Sequence, residues 1–157
     1  MKYALQTVLL LVSTLMLVAC GQSPLQVEYQ EMPDTGWAAD SICRFTITPT
    51  DQPADIFIYL QHTSSYPNAN LYLFIEAVGP DSTSRQDTLN YHLASPTGEW
   101  YGRGLASQKK ILLPYIEAAE LTGKQPYQIA IRHGMRYENL PGIQEVGIQL
   151  FPHADQQ

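Results

Sequence analysis

The segment Asp55-Ile56-Phe57-Ile58-Tyr59-Leu60-Gln61 decides the fold class of this chain. Its even-numbered positions are aliphatic, whereas its odd-numbered positions after Asp55 are aromatic or polar. A period of two residues places these two sets on opposite faces of a β-strand. An aliphatic inner face is what one sheet of a β-sandwich packs against its partner sheet. The segment therefore predicts a strand of a two-layered β-protein.

The same alternation recurs on both sides of this segment. Residues 71–77 place Leu71, Leu73 and Ile75 opposite aromatic and acidic neighbours, and residues 42–47 alternate in the same way. Further strands are predicted in short runs of β-branched and aromatic residues, at 26–32, 87–94, 109–116, 126–133 and 145–151. The 11 prolines are spread along the chain and leave little room for a long helix. We predict an all-β, jelly-roll-like sandwich of about eight strands over residues 26–152.

One segment departs from the strand pattern. Ala118-Ala119-Glu120-Leu121 lacks alternation, contains good helix formers and precedes Gly123. Here we expect a single helical turn between two strands.

The N-terminus reads as a processing signal rather than as part of the fold. Lys2 precedes a mostly apolar run over residues 4–18, which is short for a membrane span but usual for a signal peptide. The run ends in Leu17-Val18-Ala19-Cys20, which resembles the bacterial lipobox. This resemblance implies cleavage before Cys20, diacylation of its thiol and acylation of the new amine. We therefore predict a lipoprotein signal peptide at 1–19, lipidated Cys20 and a tether at 20–25, and a tail at 153–157.

The predicted lipid also indicates a location. A single acyl chain anchors a protein only marginally, whereas two or three hold it on a membrane. Gly21 rather than Asp follows Cys20, so the usual inner-membrane retention cue is missing. No acidic cluster of the kind that marks surface-exported lipoproteins follows either. We expect a lipid anchor in the outer membrane, on the periplasmic face, with no cofactor beyond the covalent lipid on Cys20.

Composition and spacing exclude several functional classes. The formal net charge of −6 argues against a nucleic-acid binder, which needs a basic face. The four histidines show neither the spacing of a zinc site nor a neighbouring cysteine pair, so we expect surface or edge positions for them. The chain has no nucleophile elbow, phosphate loop or calcium loop. We predict a protein that is not an enzyme and that holds no metal.

Two features keep alternatives open. Tyr59, Tyr66 and Tyr72 lie in or beside the 55–78 unit. As an exposed row they would stack on sugar rings, which would make this a carbohydrate-binding lipoprotein; otherwise they fill the core. Cys43 is the one thiol left after lipidation, and its place in an alternating strand favours burial over an intermolecular disulfide.

A series of strings occurs in order along nearly the whole chain. They are Trp37-x-x-Asp40, Tyr66-Pro67-Asn68-Ala69-Asn70-Leu71, Asp87-Thr88-Leu89, Gly98-Glu99-Trp100-Tyr101-Gly102-Arg103-Gly104, Met135-Arg136 and Leu140-Pro141-Gly142-Ile143. The ordered set resembles the GldH family of gliding-motility lipoproteins of Bacteroidetes. The resemblance implies a non-enzymatic envelope component associated with type IX secretion, with envelope or gliding-machinery proteins as partners. It implies no catalytic residue. The chain departs from the family pattern at 116–126.

Two of these strings combine aromatic side chains with flexible or amide-bearing neighbours. Tyr66, Asn68 and Asn70 lie in one loop, and Trp100 and Tyr101 lie in a glycine-rich turn. Aromatic residues are enriched where proteins bind one another. We predict a partner-binding patch from these five residues. We also expect that Tyr66→Ala and Trp100→Ala weaken partner capture while leaving folding largely intact.

Overall fold

Antiparallel strands build residues 23–105 and 107–154, which are the residues that the computed structural model describes. The predicted signal peptide and Cys20 lie outside the described residues. The strands are β1 (Gln26–Glu31), β2 (Trp37–Ala38), β3 (Cys43–Ile47), β4 (Ala54–Thr63), β5 (Asn70–Val78), β6 (Ser84–His92), β7 (Gln108–Ala119), β8 (Tyr127–His133), β9 (Asn139–Leu140) and β10 (Ile143–Pro152).

The strands are paired as one long hairpin rolled up on itself. β1 pairs with β10, β2 with β9, β3 with β8, β4 with β7 and β5 with β6, so each pair encloses the next. Two further pairings complete sheet I, of order β1-β10-β4-β7, and sheet II, of order β3-β8-β5-β6. This arrangement is a jelly roll. The predicted all-β sandwich is confirmed, and the eight longer strands coincide with the predicted runs, whereas the two-residue β2 and β9 are too short to show alternation.

The core lies between the two sheets and is built from the alternating aliphatic positions. Ile56, Ile58 and Leu60 of β4 are buried, and they face the buried positions of β5 and β8. Cys43 is 1% exposed, as the alternation predicts. Burial raises the pKa of its thiol to about 11, so the group is neutral and out of reach of another chain.

Side chains close the two open sides of the sandwich. The Gln26 amide donates to the carbonyl of Thr46 and accepts from the N–H of Thr48, and Glu28 accepts from the N–H of Thr46. On the other side, the Tyr115 hydroxyl donates to Asp87. The contacts of Gln26 and Glu28 cover backbone groups of Thr46 and Thr48 that would otherwise be open to pairing with other chains.

The helical turn predicted at 118–121 is wrong. β7 continues to Ala119, which pairs with Ala54, and the register shifts nearby. Ala118 has a φ of 50°, and its N–H donates to an Asp55 carboxylate oxygen at 2.9 Å. The segment is therefore a β-bulge, whose irregular backbone explains the missing alternation.

The strand directions give the molecule two distinct ends. The start of β1, the end of β10 and the loops 48–53, 79–83 and 120–126 lie at one end, which we call the tether end. The loops 64–69, 93–105 and 134–142 lie at the other, the distal end. Because strands rise about 3.3 Å per residue, strands of this length separate the two ends by about 30 Å.

No helix among the described residues has the length and apolar character needed to span a bilayer.

Candidate functional site

Tyr66 anchors the loop between β4 and β5 from inside the protein. Its ring is 3% exposed, and its hydroxyl donates to the carbonyl of Asn70 at 2.8 Å. The turn at Gly142 passes so close that an added Cβ would lie 2.7 Å from the backbone nitrogen of Tyr66. This burial contradicts the expectation that Tyr66→Ala leaves folding largely intact.

The glycine-rich turn packs directly on this loop. Trp100 is partly buried, and its ring centroid lies 6.2 Å from that of Tyr66. The backbone continues the contact, because Leu93 donates to Ala69 at 2.7 Å and Tyr101 donates to Leu93 at 2.8 Å. The fold thus brings the two predicted segments together, with Tyr66 inside and Tyr101 44% exposed.

His62 completes the buried side of this cluster. Its ring is fully buried and lies edge-on to Trp100, with centroids 4.8 Å apart. Nδ1 contacts the carbonyl of Thr63 at 3.0 Å, while Nε2 has no hydrogen-bond partner among the described residues. Burial lowers the pKa of His62, so the imidazole is neutral.

The prediction of surface or edge positions for the histidines is wrong for two of them. His62 and His133 are buried, and burial lowers the pKa of both. The signal was present in the sequence, because His62 continues the even-numbered aliphatic face of β4. Likewise, His133 continues the buried alternation of β8 after Ile129 and Ile131.

The same loop also forms one wall of an open groove, which we call the distal groove. Its volume is about 610 Å³, and it is lined by Asn68, Asn70, Tyr72, Gly134, Met135, Arg136 and Tyr137. Tyr72 and Tyr137 expose 41% and 36% of their surfaces. The backbones of the two walls are joined, because Gly134 donates to the carbonyl of Tyr72 at 2.7 Å.

Polar side chains also line the distal groove. The Nδ2 atom of Asn68 is buried and has no hydrogen-bond partner among the described residues. The amide of Asn70 donates to Asn90 at 2.8 Å, and Arg136 is exposed. Aromatic rings, a methionine, an arginine and amides together are the composition that protein interfaces favour. Sequence reasoning found Asn68 and Asn70 but missed the wall from Gly134 to Tyr137, which reaches the site only through the pairing of β5 with β8.

The tyrosines considered for sugar binding do not form an exposed row. Tyr59 is 8% exposed and Tyr66 is 3% exposed, and only Tyr72 shows much of its ring. The hydroxyl of Tyr59 donates to Glu145 at 2.8 Å on the outer side of sheet I, whereas Tyr66 lies in the core. The three rings therefore lie on different faces of the molecule.

Within residues 23–105 and 107–154, no three His, Cys, Asp or Glu side chains are placed to hold a metal ion together.

The chain is similar to known lipoproteins over almost its whole length. The model of the family described as GldH lipoprotein matches residues 25–150. The gliding motility lipoprotein GldH of Flavobacterium johnsoniae is 28% identical over 151 residues, covering 90% of this chain and 93% of that protein. The gliding motility lipoprotein GldH homolog of Christiangramia forsetii is 26% identical over 159 residues, covering 96% of this chain and 97% of that protein.

A solved structure described as a family GH115 4-O-methyl-α-glucuronidase with specificity for decorated arabinogalactans also matches. The match has a TM-score of 0.41 and 13% identity, and it covers 87% of this chain and 18% of the enzyme.

Proposed function

The chain belongs to the GldH lipoprotein family, and from this premise we propose that it is a non-enzymatic component of the gliding-motility machinery, associated with type IX secretion. In this proposal the protein is anchored in the outer membrane through lipid on Cys20, with its body on the periplasmic face. It works as an interaction module that binds envelope or gliding-machinery proteins through the distal groove.

The position of the distal groove is the observation that carries this proposal. The groove lies at the distal end of the jelly roll, opposite the start of β1, the strand that follows the predicted tether. It opens on the outer side of sheet II, where Tyr72 of β5 is exposed. A lipid at Cys20 would therefore hold the opposite end of the domain and leave the groove free for a partner.

The chemistry of the groove favours a protein partner. Tyr137 and Arg136 belong to residue types that often dominate binding energy at protein interfaces. Tyr66, Trp100 and His62 pack behind the loop and hold it in place. We assign these three a positioning role, and Tyr101 remains a predicted contact residue because it is exposed.

The test is crosslinking in the native host with the full-length protein carrying a photoreactive residue in place of Tyr137. We expect a defined protein adduct that Arg136→Ala and Tyr72→Ala reduce by at least about tenfold, the loss typical of an interface hot spot. Gln86→Ala, exposed on β6, is the matched control and should leave the adduct unchanged.

Two outcomes would contradict the proposal. A strain that glides normally without the gene would remove the motility role. An adduct with polysaccharide instead of protein would favour the carbohydrate-binding alternative.

A further inference from the structure

The outer face of sheet I carries apolar side chains in consecutive rows. Cross-strand pairing aligns Val27, Gln149, Phe57 and Pro114 in one row, and Tyr29, Gly147, Tyr59 and Leu112 in the next. Leu25 and Phe151 precede them on the same face at the tether end. A fourth row, toward the distal end, is polar and charged and contains Glu31, Glu145, Gln61 and Lys110.

Much of this apolar surface is open to solvent. Tyr29 is 56% exposed, and Leu25, Val27 and Leu112 are 43%, 41% and 39% exposed. A contiguous apolar patch of this kind on a soluble domain marks a surface that is covered in the working protein. The outer face of sheet II is more polar, because Arg44, Thr46, Glu76, Gln128 and Arg132 lie on it beside the exposed rings of Tyr72 and Phe74. The Arg132 guanidinium lies over the Phe74 ring, 4.8 Å from its centroid.

Internal contacts order the rings on this face. Tyr29 lies against Tyr59 with centroids 6.0 Å apart, and Phe57 meets Phe151 edge-on at 5.7 Å. Asp55, which shares this face at the tether end, already binds the N–H of Ala118 and His153. We call the ordered set Leu25, Val27, Tyr29, Phe57, Leu112 and Phe151 the apolar platform.

The tether decides what covers the platform. β1 begins at Gln26 and supplies two platform residues, Val27 and Tyr29, and Leu25 directly before it is only five residues after Cys20. Five extended residues span at most about 18 Å, so a lipid on Cys20 holds this part of the domain beside the bilayer. On the outer face of sheet I the apolar rows lie nearer the tether end, where Asp55 is the charged exception, and the row toward the distal end is polar and charged. A surface that leans on a membrane from the tether end requires this order.

We propose that the apolar platform lies on the phospholipid surface in which the chain is anchored. This inference rests on the lipid anchor of the proposed function. Leu25, Val27 and Leu112 enter the headgroup region, where Tyr29 suits the interface because its ring is apolar and its hydroxyl is polar. The contact is hydrophobic rather than electrostatic, since the chain has a net charge of −6. Sheet II and the distal groove then face away from the membrane.

Lipid quenching of site-specific labels tests this orientation. The full-length acylated protein is reconstituted in phosphatidylethanolamine vesicles with brominated acyl chains, after labelling of Val27→Cys or Leu112→Cys with a fluorophore. Thr88→Cys on the exposed outer side of sheet II is the matched control. The native Cys43 is buried and stays unlabelled. We expect at least about twofold quenching at positions 27 and 112 and none at 88.

Other results overturn the proposal, each in a recognisable way. Equal signals at all three positions mean that the platform does not touch lipid. A change in the fluorescence of the label at position 27 that depends on protein concentration indicates that a second copy covers the platform. A change that requires added envelope protein indicates a protein partner. Leu112→Glu should abolish quenching at position 27 without altering partner capture by the distal groove. Intact mass reports acylation independently, and an unacylated Cys20 overturns the anchor and the platform together.

Discussion

His62 and His133 are neutral because both lie inside the protein. The His133 ring stacks edge-on against Trp37 with centroids 5.3 Å apart, and its Nε2 contacts the Trp37 carbonyl at 3.0 Å. Each imidazole also has one ring nitrogen without a hydrogen-bond partner among the described residues. A buried group of this kind resists protonation, which links the fold to pH.

We expect stability to fall as the pH drops below about 6.5, the usual pKa of histidine in an unfolded chain. The pKa of both residues is lowered in the folded state, so the unfolded chain binds protons that the folded chain does not. The contribution is complete above that pH and declines below it. Urea midpoints at pH 7.5 and 5.5 measure the effect, and His62→Leu should reduce it, whereas the exposed His92→Gln should not. A midpoint that is equal or higher at pH 5.5 would contradict this account.

Substitutions of the single residue Tyr66 test whether it holds the loop in place rather than binding a partner. Tyr66→Ala should destabilise the protein by about 3–5 kcal/mol, because it empties a site inside the core. Tyr66→Phe keeps the ring but loses the hydrogen bond to Asn70, at a cost of about 1 kcal/mol. Chemical denaturation measures both. Tyr101→Ala, at an exposed position, is the control and should change stability by less than about 0.5 kcal/mol.

At the scale of elements, Gly147 allows β1 to dock on β10. An added Cβ would lie 2.3 Å from the carbonyl oxygen of Glu28 and 2.7 Å from the Cβ of Tyr29. Both of those groups belong to the neighbouring backbone or its first side-chain atom, so neither can move without shifting β1. The platform therefore depends on a glycine that does not itself contribute a side chain.

Gly147→Ala should destabilise the fold by about 1–3 kcal/mol, the usual cost of overpacking a tight site. Thermal unfolding measures the loss. Gly98→Ala is a useful comparison, because Gly98 has a φ of +87° but no neighbour within 4 Å of an added Cβ. Its cost should come from the backbone conformation alone. Equal stability of Gly147→Ala and the unmodified protein would show that β1 has room to adjust.

The bulge in β7 gives a prediction of the opposite sign. Ala118 has a φ of 50°, a conformation that costs an L-residue roughly 1–2 kcal/mol and glycine almost nothing. Ala118→Gly should therefore leave stability unchanged or raise it by up to about 1 kcal/mol, after the entropy of the unfolded chain is included. Thermal unfolding of Ala118→Gly is compared with that of Ala77→Gly, which changes a regular strand position. Only Ala77→Gly should lose stability.

The strands and the bulge differ in how well they can be predicted from the sequence. Long alternating strands such as β4 and β5 are visible because burial imposes a two-residue period on them. The bulge at Ala118 is not, because its backbone is set by Asp55 across the sheet. Asn68 and Asn70 are recognisable as loop residues from the sequence alone. Tyr137 is not recognisable as their neighbour, because only the pairing of β5 with β8 brings it to them, and no local pattern shows that pairing.

At the scale of the whole molecule, Cys43 reports on the cooperativity of the sandwich. It is 1% exposed within the core between the two sheets, and its pKa is raised to about 11. A thiol reagent should therefore label the native protein very slowly, and the labelled fraction should rise together with the loss of β-structure in urea. Intact mass after labelling measures it. Fast modification under native conditions would mean that β3 opens independently of the rest of the fold.

The nested pairing of the strands has a consequence for the order in which the fold assembles. β5 and β6 are joined by the short turn 79–83, so their pairing closes the smallest loop and loses the least chain entropy. Each later pair then closes a loop that the previous pair has already shortened. In this order β1 joins last, against β10. The strand that follows the proposed acylation site in the sequence is the final one to be added. The rest of the jelly roll is therefore complete before the end that would carry the lipid is committed to it.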